Sequence, residues 1–181
     1  MSMLPNMTAW VLFWVLVERG APHVAPLVGL MIALAVNASS AIRGHPKALE
    51  IGTASFFAGF GLASLVVDPA WLERWAHVMG SGALALTTLV SLAVSRPLVM
   101  QYARERVPRD RWDSSVFVKR CAVITWVWFA AFAAVAIAAC VRVYRPEHSI
   151  WSTRLVPAAT LVAALVFTVV YPKLDRRRLG T

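Results

Sequence analysis

A chain of 181 residues that is 59% hydrophobic, with a mean hydropathy of +0.65, is more apolar than a water-soluble domain of this size. The apolar residues fall in several long runs, which is the pattern of a membrane protein. The formal net charge of +9 lies beside those runs, so membrane orientation and anionic lipid account for it, and nucleic acid is not an expected partner.

In chain order, the first span covers residues 3–17, with Pro5 and Asn6 near its start and Trp10 and Trp14 on one helix face. It has neither a basic lead-in nor a small-residue cleavage site, so it reads as a span and not as a cleaved signal. Glu18-Arg19-Gly20 turns the chain into the second span, residues 24–42, whose one strongly polar residue is Asn37. A short basic link, Arg43-Gly44-His45-Pro46-Lys47, leads to the third span, residues 48–67. Pro46 suits the first turn of the helix that follows it. Ser55, Gly59 and Ala63 form a small-residue stripe there, a pattern that admits a close neighbouring helix, and Glu50 lies near one end.

Asp68-Pro69 is expected to stop this span. An aromatic belt with Trp71, Trp75 and His77 follows. The fourth span is residues 77–95, carrying Thr87, Thr88 and Ser91, and Pro97 breaks it. Residues 98–107 read as a short interfacial helix ended by Pro108, with Tyr102 and Trp112 as interfacial anchors. The fifth span is residues 115–141, with Ser114 as its N-cap and a stripe of Ala130, Ala134 and Ala138. Trp126 and Trp128 sit deeper in it than belt residues and are expected to pack on another helix. The sixth span is residues 153–171, with a kink expected at Pro157 and an end at Pro172, before a basic tail.

Residues 91–120 organise the rest. This island holds seven basic residues: Arg96, Arg104, Arg106, Arg109, Arg111, Lys119 and Arg120. On a six-span reading, thirteen Lys and Arg lie on the island's side of the membrane and five on the other. The positive-inside rule then places the island and both termini in the cytoplasm. A weak internal repeat, a span followed by Arg with a nearby Pro and another span, suggests repeated helix hairpins.

Candidate chemistry is sparse. There is no phosphate-binding glycine loop, no nucleophile motif, no paired carboxylates and no zinc spacing, so no catalytic residue, metal or cofactor is assigned. Cys121 and Cys140 are 19 residues apart on one helix, about 28 Å, too far for a mutual disulfide. Two sets of candidate residues remain. Arg96, Arg104, Arg111, Lys119 and Arg120 could contact anionic lipid or phosphate, since arginine forks match phosphate geometry. Asn37, Glu50, His77, Thr87, Thr88 and Ser91 could form a polar lining.

Ser95-Arg96-Pro97 with Gln101-Tyr102-Ala103-Arg104-Glu105, then Val107-Pro108 and Trp112, then Trp126-Val127-Trp128-Phe129, resembles a group of bacterial inner-membrane proteins placed near the intracellular septation protein A family. The resemblance covers roughly residues 48–144. It implies a small polytopic helical protein of the cell envelope and brings no catalytic residues.

The sequence therefore reads as one all-α polytopic transmembrane bundle of about six spans over residues 1–181. The function expected first is a non-enzymatic inner-membrane envelope protein that contacts anionic phospholipids, a second copy or another membrane protein. A small-solute transporter, or the membrane subunit of one, and a lipid-modifying enzyme are the alternatives.

Overall fold

Helix-end chemistry in the sequence accounts for most of the element boundaries. The computed structural model describes residues 3–42, 47–105, 107–145 and 155–178, and these are all-α with no strand among them. The helices are α1 (Met3–Glu18), α2 (Val24–Ile42), α3 (Ala48–Ala63), α4 (Pro69–Ala93), α5 (Leu98–Ala103), α6 (Ser115–Tyr144) and α7 (Val156–Arg178). A single 3-10 turn spans Arg109–Arg111.

Two helices end in the same device. After α1, Gly20 takes a φ of 75°. Its N–H donates to Val17 O at 3.0 Å, and the N–H of Ala21 donates to Leu16 O at 3.0 Å. After α4, Ser95 takes a φ of 55°, its N–H donates to Leu92 O and the N–H of Arg96 donates to Ser91 O, both at 3.0 Å. Both are Schellman caps, which satisfy carbonyls that a helix end leaves unbonded. Ser114 caps α6 as expected, its Oγ accepting from Phe117 N–H at 3.2 Å.

Asp68-Pro69 differs from expectation. Asp68 Oδ1 accepts from the N–H of Trp71 at 3.0 Å, and Pro69 is the first residue of α4. The pair starts a helix, because Asp is a strong N-cap and Pro fits the first turn, where no N–H is needed. Thus α3 stops at Ala63, and the belt with Trp71, Trp75 and His77 lies inside α4. Pro157 falls in the first turn of α7 and so interrupts no helical hydrogen bond, while α7 continues through Pro172 to Arg178. The interfacial helix is shorter than expected and ends at Ala103. The link at residues 43–46 with Pro46, Arg106 and residues 146–154 lie outside the described residues.

Three helices, α2, α4 and α6, are long and apolar enough to cross a membrane, with 19, 25 and 30 residues. This is fewer than the six spans expected. Met7–Glu18, Ala48–Ala63 and Pro157–Pro172 are apolar but shorter. The 16 residues of α3 rise about 24 Å against a hydrocarbon core of ~30 Å. Large apolar side chains stand open on several helices, with Met31 72% exposed, Leu62 68% and Ile137 65%. Open apolar surface of this kind supports a membrane-protein reading.

The helices gather in two compact units, Met1–Thr87 and Thr88–Thr181, so that α4 begins in the first and ends in the second. The first unit is built on an aromatic core. Trp10 and Phe13 of α1 are buried against Phe56, Phe57 and Phe60 of α3, with Trp10 stacked on Phe56 at 4.9 Å and Phe13 edge-on to Phe60 at 5.3 Å. The second unit pairs α6 with α7 and α5 with α6. There the Trp128 Nε1–H donates to Thr168 Oγ1 at 3.0 Å. Trp126, expected to pack, is 52% exposed and stands edge-on to Phe129 of its own helix. Cys121 and Cys140 are both free thiols on α6.

The two caps give opposite predictions for a Cβ in the left-handed region. Gly20→Ala should cost about 1 kcal/mol, and Ser95→Gly should gain a similar amount, since only glycine adopts positive φ without strain. Unfolding midpoints of the two variants in mild detergent check both signs.

Candidate functional site

Two polar centres stand out, one in each unit. In the first unit, the buried face of α3 carries Leu49, Glu50, Thr53, Phe57 and Phe60. Spacings of three and four put these residues on one stripe. The polar members of the stripe take partners from neighbouring helices. Thr53 Oγ1 accepts from the Trp10 Nε1–H at 3.1 Å. The Asn37 side-chain amide donates to Ala33 O at 2.8 Å within α2, and to the Glu50 main-chain carbonyl at 2.9 Å on α3.

Glu50 itself has no exposed surface. Its Oε2 accepts the N–H of Lys47 at 3.3 Å, the carboxylate half of a capping box. Its Oε1 is enclosed and has no hydrogen-bond partner among the described residues. Lys47 is also buried, at 5% exposure. Two residues beyond Glu50 on α3, Gly52 faces Thr87 of α4, where a Cβ would lie 2.5 Å from Thr87 Oγ1 and 2.8 Å from its Cγ2. Asn37, read from the sequence as a separate polar position, thus meets Glu50 at its main-chain carbonyl, and Thr87 meets α3 at Gly52.

His77 lies elsewhere in this unit. Its ring is stacked on Trp14 with an interplanar angle of 10°, and its Nε2 is 3.7 Å from Glu18 Oε1 at the end of α1. Its main-chain carbonyl accepts from Ser81 Oγ.

The second centre is the folded basic island. α5 starts with three N–H groups that a helix cannot bond internally, and the structure supplies an acceptor for each. Leu98 N–H donates to Ser91 Oγ at 3.0 Å, Val99 N–H to Thr125 Oγ1 at 3.3 Å, and Met100 N–H to Pro97 O at 2.9 Å. Ser91 Oγ in turn donates to Thr88 O at 2.7 Å, and Thr125 Oγ1 to Cys121 O at 2.7 Å. The hydroxyls of Ser91 and Thr125 are therefore engaged in holding the loop, and Thr88 is buried beside them.

Beyond α5 the guanidinium of Arg104 lies over the Trp112 ring at 5.0 Å, with Arg109 at 5.7 Å. The Trp112 Nε1–H donates to Val107 O at 2.9 Å, which holds the ring in place. The Nε of Arg104 is buried and has no partner among the described residues. Arg96, Arg109, Arg111 and Lys119 are exposed and Arg120 is half-buried. The acidic residues of the same stretch, Glu105, Asp110 and Asp113, are exposed as well. Of the lipid-contact residues expected from sequence, the structure fixes Arg104 against an aromatic plane and leaves Arg96, Arg111 and Lys119 open to their surroundings.

Sequence reasoning missed Thr53 and Thr125, and the signal for them was weak. Thr53 is three residues after Glu50 on the same face, but a threonine in an apolar helix has no pattern of its own. Among the described residues no group of three His, Cys, Asp or Glu could hold a metal ion. Comparisons with protein-family models, curated proteins and solved structures give no match to this chain.

The two centres yield two packing predictions. Gly52→Ala should destabilise the first unit by about 1–3 kcal/mol, because a β-branched threonine on a helix cannot swing aside, and Thr87→Ala should restore part of the loss. By contrast, a Cβ at Gly59 meets nothing within 4 Å among the described residues, so Gly59→Leu should leave that unit's stability unchanged. Thermal melts of the single and double variants in detergent test this pattern. Ser91→Ala should cost about 1–3 kcal/mol, since the buried N–H of Leu98 loses its acceptor. Faster amide exchange at Leu98 and Val99 is the accompanying signature.

Proposed function

We propose that this chain is a non-enzymatic multipass protein of the bacterial inner membrane, similar in kind to the septation protein A group, whose cytoplasmic basic island contacts anionic phospholipids. Both termini lie in the cytoplasm, with α1, α3 and α7 as short additional spans that a locally thinned bilayer accommodates. The observation that carries the lipid reading is the pinned guanidinium of Arg104 over Trp112, with Arg109 beside it and Arg96, Arg111 and Lys119 open around it. Arginine presents a planar fork suited to phosphate, and a fixed side chain loses less freedom on binding than a mobile one. Seven basic residues against three acidic ones in residues 91–120 leave the stretch positive enough to attract an anionic leaflet.

The partner-binding side of this reading is supported by the stripes of Ser55, Gly59 and Ala63 on α3 and Ala130, Ala134 and Ala138 on α6. Each has two members exposed, as small-residue faces are before a helix docks on them. A second copy or another membrane protein would use them.

A second reading, a small-solute transporter or the membrane subunit of one, draws on a different observation. Asn37, Glu50, Thr53 and Thr87 place polar groups between packed helices of the first unit, and polar groups within apolar helices mark substrate and ion paths.

Native mass spectrometry of the protein extracted gently from its own membrane tests the lipid reading. Retained phosphatidylglycerol or cardiolipin should fall at least severalfold in an Arg96→Gln, Arg104→Gln double variant, while retained zwitterionic lipid stays constant. Equal retention of anionic lipid in both proteins would overturn the reading.

A further inference from the structure

Two arginines of the basic island converge on one indole. The guanidinium carbon of Arg104 lies 5.0 Å from the centre of the Trp112 ring, and that of Arg109 lies 5.7 Å from it. Both distances run to the same ring, so the two guanidiniums are no farther apart than those distances laid end to end. Like charges held this close repel, and an anion beside them reverses the sign of that interaction.

The ring that gathers them is tied down twice. Its Nε1–H donates to Val107 O at 2.9 Å, and the main-chain N–H of Trp112 donates to Arg109 O at 3.2 Å, which closes the 3-10 turn that carries Arg109. Arg104 reaches the ring from the C-terminal end of α5. Neither cation is paired with a carboxylate among the described residues, although Glu105, Asp110 and Asp113 lie in the same stretch. Arg104 Nε is enclosed, whereas its two terminal nitrogens are neither enclosed nor hydrogen-bonded among the described residues. Arg109 is exposed. Two guanidinium ends are therefore held near each other, with their N–H groups uncommitted.

We propose that this pair is the headgroup site of a phospholipid carrying two phosphates, a cardiolipin, with one phosphate on each arginine. The inference rests on the lipid reading and names the lipid. A guanidinium presents its N–H groups in a plane that matches two oxygens of one phosphate. Phosphatidylglycerol has a single phosphodiester and fills one fork. Cardiolipin has two phosphodiesters joined through one glycerol, so binding the first delivers the second to the neighbouring fork on a three-carbon tether. The second contact then forms at high effective concentration and without a second loss of translational freedom. Basic pockets at the cytoplasmic ends of membrane helices suit headgroups of this kind.

The test is native mass spectrometry of the delipidated full chain in detergent. The chain is titrated separately with cardiolipin, phosphatidylglycerol and phosphatidic acid at matched phosphate and ionic strength. Cardiolipin should bind about tenfold more tightly than either of the other two. Arg109→Gln, at an exposed position, should bring cardiolipin down to the affinity of phosphatidylglycerol and leave phosphatidylglycerol itself unchanged. Arg109→Lys keeps the charge without the fork and should lose most of the preference. Arg111→Gln makes the same change of charge on the same turn and should keep it.

Equal affinity for the three lipids would overturn the two-phosphate site, as would an Arg111→Gln variant that loses the preference as fully as Arg109→Gln. Either result leaves the lipid reading standing if all binding still falls in the Arg96→Gln, Arg104→Gln double variant. Failure of every anionic lipid to bind would overturn both. Inorganic pyrophosphate, added as a competitor, separates a lipid from a soluble diphosphate. It should displace cardiolipin only in large excess, and displacement at equal concentration would overturn the lipid as the ligand.

Discussion

Trp10 must bury a large indole and still keep its N–H bonded. The described arrangement meets both demands with α3: the ring lies 4.9 Å from both Phe56 and Phe57, and the N–H reaches Thr53 Oγ1 at 3.1 Å. A buried indole nitrogen without an acceptor would cost about 1–3 kcal/mol, so the bond selects one register of α1 against α3. That register places Phe13 on Phe60 and brings the ring of Trp10 to 3.2 Å from the Cβ position of Gly80 on α4. Gly29 of α2 is closed the same way by the Phe57 ring, at 2.8 Å. Four helices of one unit are thus referred to a single aromatic cluster and one hydrogen bond.

Polar groups are handled differently in the two units. In the second, hydroxyls do the work: Ser91 and Thr125 each donate to a carbonyl of their own helix and accept from an N–H at the start of α5. Every one of those hydrogens has a place to go, and the short helix is held by its orphan donors. In the first unit Glu50 Oε1 is buried on α3 with no hydrogen-bond partner among the described residues. Satisfied networks specify structure.

The helical class, the limits of α2 and the Ser114 cap were all legible, because they depend on apolar run length and on local turn chemistry. Where the reading went astray, a residue had two local meanings. Asp68-Pro69 can end one helix or begin the next, and only the bond from Trp71 N–H to Asp68 Oδ1 decides between them. The third span was drawn to residue 67, but α3 ends at Ala63, so its 16 residues fall short of the length that marks α2, α4 and α6 as crossings. The stripe of Ser55, Gly59 and Ala63 was a fair sign of close packing, but the packed glycines turned out to be Gly29, Gly52 and Gly80. Small residues announce that a helix can approach and do not say which one does. The meeting of Asn37 with Glu50 was beyond the sequence, since an amide 13 residues from a carbonyl carries no periodic signature.

The position of Thr87 has a consequence for biosynthesis. The ties described for the first unit, from Trp10–Thr53 to Asn37–Glu50 and Gly52–Thr87, all lie within the first 87 residues. A ribosome adding roughly 5–20 residues per second completes that stretch several seconds before it finishes α7. Helix pairing takes far less time than that. The aromatic cluster can therefore close while the basic island is still being translated, and α4 would enter the later half of the chain already anchored at its beginning.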